Sequence, residues 1–348
     1  MIMQMKPKVT MYTIAKEVGM SIAAVSRAFD PKSCLKPEKR ELILETAKRL
    51  GYVPNRMASR LSSEPIRIGV LIYGQVRVYY SILERGIRAA FRDLMDYKVE
   101  LDFNTLDRAE ASEEDAVKVI DKFADSGIDG VIISGLFSQD ALGHINRLEE
   151  SGIPLCLLGS DLPGCKRSFV SMNDTVTTGQ LAAEFLSLTV GDKRDVVLFT
   201  ADRSSPGQDE IVDSFLLSSE KMSLTVRDII DTGNREDTAY DRMARILSKE
   251  PLPGGVYCTS ANSVPLCRAI AESGREGRSI LLASDVFPAL DHYLEAGIVT
   301  GTIYQDPLYQ ARRAFESMFV LLAEGKEPDE LIRSTPQLVL RSNRRLYN

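Results

Sequence analysis

Apolar residues recur every three or four positions through residues 10–52, then gather from Ile66 onward into short continuous runs separated by amphipathic stretches. The first texture predicts helices. Thr10 is placed to cap a helix whose inward face is Ile14, Ala15 and Val18 and which ends at Gly19. Ser21 caps a second, Ile22 to Phe29, with Val25 and Ala28/Phe29 inward, and Asp30-Pro31 stops it. A third carries Pro37 in its first turn, buries Ile43, Ala47 and Leu50, and stops at Gly51. Between Pro54 and Ser63, Met57, Ala58 and Leu61 keep helical spacing among polar and basic neighbours; so short a helix is marginal alone. Ser62-Ser63-Glu64-Pro65 reads as a boundary.

The second texture predicts ten strands, at 66–73, 99–105, 130–135, 153–159, 195–200, 224–231, 254–259, 279–284, 298–304 and 336–341, most of them separated by helices. Runs such as Ile68-Gly-Val-Leu-Ile72 suit strands covered on both faces, and repeated βα units predict a parallel, doubly wound α/β sheet. Ten strands exceed what one sheet usually holds, so two similar lobes are expected. The predicted organisation is an all-α head (8–53), a hinge helix and linker (54–65), an N-lobe (66–168 and 305–325) and a C-lobe (169–304 and 326–348).

Charge sharpens this division. The chain of 348 residues has a net charge of −6, but residues 1–65 hold 12 Lys/Arg against 6 Asp/Glu while the other 283 hold 31 against 43. A basic head on an acidic body favours an anionic partner, nucleic acid first, although a lysine-rich surface helix gives the same balance. The five cysteines follow no C-x-x-C spacing, which predicts free thiols in a reducing cytoplasm. No apolar run suggests a secretory leader or a membrane span, and two isolated histidines predict no metal site and no cofactor. The Gly-x-x-x-x-Gly-Lys loop and the Gly-x-Ser-x-Gly elbow are both missing, so an enzyme is not expected.

The segment from Val9 to Arg27 has the spacing of a helix-turn-helix, which sets a second helix into the major groove; an ordinary helical hairpin shares that spacing, and the local basic charge favours the DNA reading. Thr13-Ile-Ala-Lys-Glu-Val-Gly-Met-Ser, Val25-Ser-Arg27 and Lys48-Arg-Leu-Gly-Tyr-Val-Pro-Asn55 resemble the head of the LacI/GalR (lactose-repressor) family. The likeness continues through Ile66-Arg-Ile-Gly-Val70, Tyr304-Gln-Asp-Pro307 and Pro336-Gln-Leu-Val-Leu-Arg341, and so covers essentially the whole chain. It implies a transcription regulator, in most relatives a repressor, acting as a homodimer on pseudo-palindromic double-stranded operator DNA. Ile22, Ala23 and Arg27 would face bases, and Arg27 suits guanine O6 and N7. Thr10, Ser21, Ser26, Asn55 and Arg56 would hold phosphates, with capping the competing role of Thr10 and Ser26. Ala58 and Leu61 would form a minor-groove hinge in which Leu61 wedges between base steps.

The resemblance further implies a periplasmic-binding-protein-like core that closes on a small sugar or sugar derivative and needs no membrane. Strand ends facing the interlobe cleft supply the candidates Tyr79, Tyr80, Asn173, Asp174, Asn262, Asp285 and Gln305. Either tyrosine could instead be a core aromatic, and Asp285 could instead cap a helix over 287–296. Relatives commonly carry a basic residue four positions before Phe215, where this chain has Ile211. A plain sugar ranks first as effector, a sugar acid or phosphosugar second. A solute-binding carrier without DNA function is the alternative; the basic head counts against it.

Overall fold

The structure, a computed structural model, describes residues 10–29, 35–50, 52, 64–74 and 76–347, and divides into two units, Met1–Pro65 and Ile66–Asn348.

The smaller unit contains α1 (Met11–Val18), α2 (Ile22–Ala28) and α3 (Pro37–Leu50). Thr10 and Thr13 cap one another across the first turn of α1: each side-chain oxygen accepts from the other's backbone N–H, at 3.3 and 3.2 Å. Gly19 ends that helix with φ +63°, a left-handed turn that glycine enters without a Cβ clash. Two residues later the Ser21 hydroxyl accepts from the Ala24 N–H and starts α2. Ile14, Ala15, Val25, Ala28, Ile43 and Ala47 close the core between the three helices, with Val18, Phe29, Leu50 and Tyr52 around it.

The larger unit is built on two six-stranded sheets. In the first, β1 (Ile66–Gly74) has β2 (Val99–Asp107) on one side and, in order on the other, β3 (Gly130–Gly135), β4 (Leu155–Leu158), β5 (Phe169–Asn173) and β11 (Leu331–Ser334). All five pairings are parallel. In the second, β6 (Asp195–Thr200) lies between β7 (Thr225–Asp231) and β8 (Gly255–Cys258), followed by β9 (Ile280–Ser284), β10 (Gly301–Tyr304) and β12 (Gln337–Val339). Apart from Arg67, β1 is buried along its whole length, as the continuous apolar run demands.

Three features depart from the sequence expectation. Twelve strands are present among the described residues: the expectation left out β5, which only Asp174 separates from the next helix, and β11, which is short and half-exposed. Both belong to the first sheet, where Leu157 pairs with Val170 and Ser171 with Ile332. The first lobe therefore runs to Asn173 rather than 168 and regains 331–334, which the expected division assigned to the second. In addition β12 runs antiparallel to β10, so the second sheet is not wholly parallel.

The chain passes between the sheets three times, after β5, after β10 and between β11 and β12. A buried polar cluster joins these passages. Gln310 Nε2 donates to the Gln305 carbonyl at 2.8 Å and to Ser334 Oγ at 3.0 Å, Ser334 Oγ donates to the same carbonyl at 2.6 Å, and the Asp174 N–H donates to the Ser334 carbonyl at 3.1 Å. Low-dielectric surroundings strengthen such bonds and penalise breaking them, so this hinge holds a defined geometry.

Helices α4 (Arg77–Leu94), α5 (Glu113–Asp125) and α6 (Leu142–Glu150) cover the first sheet, joined by α12 (Pro307–Glu324), which meets α4 at the edge-to-face pair Phe91–Phe315. The second sheet carries α7 (Thr175–Thr189), α8 (Pro206–Lys221), α9 (Glu236–Leu247), α10 (Val264–Ser273) and α11 (Pro288–Glu295). Helices α7 and α8 cross at Gly179, where a Cβ would stand 2.5 Å from the Ile211 carbonyl and 2.7 Å from the Phe215 nitrogen. Gly179→Ala is therefore expected to push α8 outward and destabilise the core by about 1–3 kcal/mol, read as a lower midpoint in a denaturant melt.

Candidate functional site

The base-facing candidates of the head share one exposed face of its second helix. On α2, Val25 and Ala28 point into the core, which leaves Ile22, Ala23 and Arg27 open to solvent and Ser26 half-buried beside them. Positions 22, 23, 26 and 27 pair at i, i+4 and so share that face. Thr10 and Ser21 are exposed at helix starts, and both hydroxyls already serve as caps. Asn55, Arg56, Ala58 and Leu61 lie outside the described residues.

A second site lies in the core, where the carboxyl ends of strands from both sheets face one another. The cavity there holds about 750 Å³, open mouth included. The first sheet contributes Ser134 and Gly135 from β3, Gly159 and Ser160 after β4, and Asn173 from β5, with Tyr79 and Tyr80 from the start of α4. Opposite them stand Gln208 and Ile211 from α8, Asn234 after β7, Ser260 after β8, Asp285 after β9 and Gln305 after β10. Ligands bind at this end of α/β sheets because strand ends and helix starts leave backbone N–H groups unspent.

Asp285 is the only formally charged residue among the described lining. It is 1% exposed, and its carboxylate accepts from the Gln305 backbone N–H at 3.1 Å and from Gln305 Nε2 at 3.3 Å. Burial pushes its pKa up from 3.8 to about 7, against the pull of the Gln305 backbone hydrogen bond and with a further push from Asp306. It does not cap the following helix, since α11 starts from Phe287 with no side-chain cap. Tyr79 and Tyr80 meet edge to face at 5.3 Å between ring centres. Burial raises both hydroxyl pKa values, that of Tyr80 to about 12, and Asp285 adds to the shift at Tyr79. Gly159, at φ +86°, makes room for the Tyr79 hydroxyl, which would stand 3.0 Å from a Cβ there.

The remaining sequence candidates are placed differently. Asn173 donates Nδ2–H to Thr178 Oγ1 at 3.2 Å from within the lining. Asp174 is outside it, its side chain accepting from the Thr177 N–H as the cap of α7. Asn262 lines an adjoining outer recess that shares Val76, Asn234 and Ala261 with the cavity, and its Nδ2 is buried without a hydrogen-bond partner. Arg77 is exposed in that recess.

Sequence reasoning missed Gln208, Asn234, Ser134, Ser160 and Ser260. The serines were available as the polar positions that close β3, β4 and β8. Gln208 lies one turn before Ile211 on the same side of α8, in a segment where only the loss of a basic residue had stood out. Its Oε1 accepts from Thr259 Oγ1 at 2.6 Å and Thr200 Oγ1 at 3.4 Å, which leaves its NH2 to donate to a ligand.

Residues 68–327 match the periplasmic binding protein domain, and the chain belongs to that family. It is accordingly a binding protein rather than an enzyme. Among relatives, catabolite control protein A of Priestia megaterium is 30% identical over 155 residues, 44% of each chain, so less than half of that protein's length is matched. The protein of the same name from Staphylococcus epidermidis is 28% identical over 257 residues, 72% of this chain and 74% of the other. Among solved structures, GanP, a glucose-galactose binding protein from Geobacillus stearothermophilus, superposes with a TM-score of 0.73 at 21% identity, covering 81% of this chain and 99% of that one. A solute binding protein from Burkholderia graminis in complex with D-arabinose gives 0.74 at 18% identity, covering 82% and 99%. These structures share the fold. Among the described residues no helix is long and apolar enough to cross a membrane, and no group of three or more His, Cys, Asp or Glu could hold a metal ion.

Proposed function

We propose that the protein is a cytoplasmic transcription regulator of the LacI/GalR type, whose head binds operator DNA and whose core binds a small sugar-like effector. One observation carries the reading: a basic three-helix unit, with Arg27 exposed on the solvent face of its second helix, precedes a core of binding-protein fold. Binding proteins such as GanP are covered almost whole and yet reach only about four-fifths of this chain. The relatives named catabolite control protein A support a regulator over a carrier. The carrier reading draws on the likeness to sugar-binding structures and predicts no affinity for DNA.

In this reading two chains place two heads on the half-sites of a near-palindrome. Effector binding changes the angle between the lobes, and a hinge segment that is marginal alone forms or melts in response. A coupling of about 1–3 kcal/mol between the two sites is enough for control. The test is selection of a binding sequence from random duplexes, followed by fluorescence anisotropy with and without effector. A near-palindromic site should emerge, bound more weakly as salt rises. Arg27→Ala should lose about 1–3 kcal/mol on that site and relax discrimination at one base pair per half-site. Failure to enrich any sequence, or an enriched site indifferent to Arg27→Ala, would sink the proposal.

A further inference from the structure

We infer that the effector is an uncharged, hydroxyl-rich molecule, that Gln208 reads its hydroxyls, and that Ile211 closes the site to sugar acids and sugar phosphates. The inference rests on the effector-binding reading above and narrows it to one ligand class.

Three observations converge on it. The described lining contains one formal charge, the Asp285 carboxylate, and no Lys, Arg or His. The nearby cation Arg108 lies over the Tyr73 ring, 5.3 Å from its centre, and is not part of the lining. An anionic ligand would bring a second negative charge to a buried carboxylate with no cation beside it in the described lining, where low dielectric makes repulsion strong. The start of α8 does face the cavity, without a side-chain cap. A helix terminus supplies only about half an elementary charge, less than Asp285 removes.

The second observation is the position of Ile211. It is 1% exposed, packed in the core with Val212 and Phe215, and reaches the cavity from α8 one turn beyond Gln208. The wall that α8 turns to the cavity beyond Gln208 is thus apolar, and it suits a ring face or a C–H edge rather than a charged group.

The third is the mixture of unspent polar atoms. Gln208 offers a donor, Asp285 an acceptor and Ser134 a hydroxyl that is both, while Ser160 Oγ donates to the Asp161 carbonyl and keeps its acceptor role, and Ser260 Oγ accepts from the Asn262 N–H and keeps its donor. Where the cavity meets the outer recess, Asn234 Oδ1 and Asn262 Nδ2 are an acceptor and a donor buried without partners. Donors and acceptors set side by side match hydroxyl groups, which do both. A phosphate or carboxylate only accepts.

The experiment is calorimetric titration of the full chain at pH 8 with a panel of neutral aldoses, ketoses and glycosides, each paired with its sugar acid and its phosphate. The tightest ligand should be neutral, and its acid and phosphate counterparts weaker by about a hundredfold or more, the size of a like-charge penalty in a partly screened site. Gln208→Ala should lower affinity for the neutral ligand about tenfold, one neutral hydrogen bond's worth, and should also lower the melting temperature of the ligand-free protein, because the buried Thr200 and Thr259 hydroxyls lose their acceptor. Ile211→Arg should shift preference toward the acid or phosphate. Because that change also buries a charge in the core, Gln208→Lys supplies the cation from the adjacent turn and should shift preference the same way. A wild-type protein that binds an acid or phosphate more tightly than its neutral counterpart overturns the inference, and so does a panel in which nothing binds. Operator binding by the head is measured separately and survives either result.

Discussion

Asp285→Asn is expected to abolish effector binding and, at pH 8, to make the ligand-free core more stable. The two effects share a cause. Burial raises the carboxyl pKa to about 7 in the folded chain, from an ordinary 3.8. The folded protein therefore keeps, between those two values, a proton that the unfolded chain has released. The stability this group contributes is full at pH below about 4 and is lost as pH rises through 7, by up to about 4 kcal/mol from a shift of this size. Asparagine cannot ionise, and its oxygen still accepts from the Gln305 N–H, so the variant escapes that cost. A rise of several degrees in melting temperature is expected at pH 8, shrinking to nothing near pH 4. Asp306, Tyr79, Tyr257 and Tyr304 also face this carboxylate, and near pH 7 all three tyrosines stay neutral because their own pKa values are raised. Ligand hydroxyls that donate to Asp285 favour its ionised form, so wild-type affinity should rise with pH up to about 7 and then level off. Calorimetry and thermal melts over pH 4–9 measure both effects. A variant that still binds effector, or a melting difference independent of pH, refutes the assignment.

The second large effect concerns the head. Ile14 is fully buried at the meeting of three short helices, in a core of only six buried apolar side chains among the described residues. Ile14→Ala removes its largest contacts at a cost of about 2–5 kcal/mol. A unit so small has little stability to lose. Hydrogen exchange over residues 10–50 should lose its protection and operator binding should vanish, while effector titration of the core stays as in wild type. Operator binding unchanged by Ile14→Ala would remove the three-helix core from the DNA-binding role.

How much of this was legible in the sequence varies with how local the signal is. Thr10, Gly19 and Ser21 state the limits of α1 and α2 in their own chemistry, since a hydroxyl cap or a left-handed glycine acts within one turn. The ten apolar runs marked ten of the twelve strands among the described residues. Phe169–Asn173 escaped because only Asp174 separates it from the next helix, and Leu331–Ser334 because it is short and half-exposed. Of the seven effector candidates, Tyr79, Tyr80, Asn173, Asp285 and Gln305 came together in one lining, because each stands at a strand end or helix start that the βα rhythm makes visible.

The polar–apolar pattern therefore determined, by itself, a three-helix head, a doubly wound core and the ends of the strands at which a ligand would be held. Its hydroxyl caps, its glycines and its buried-strand runs are local signals, and local physics reads them. Which lobe receives β5 and β11, how Gln305, Gln310 and Ser334 tie three chain passages together, and that Gln208 keeps its NH2 free beside Asp285 were decided only in three dimensions. Each depends on hydrogen bonds between residues far apart in the chain, where no periodicity operates. The low dielectric that raises the Asp285 pKa is likewise made by many distant segments at once, and no stretch of sequence holds it.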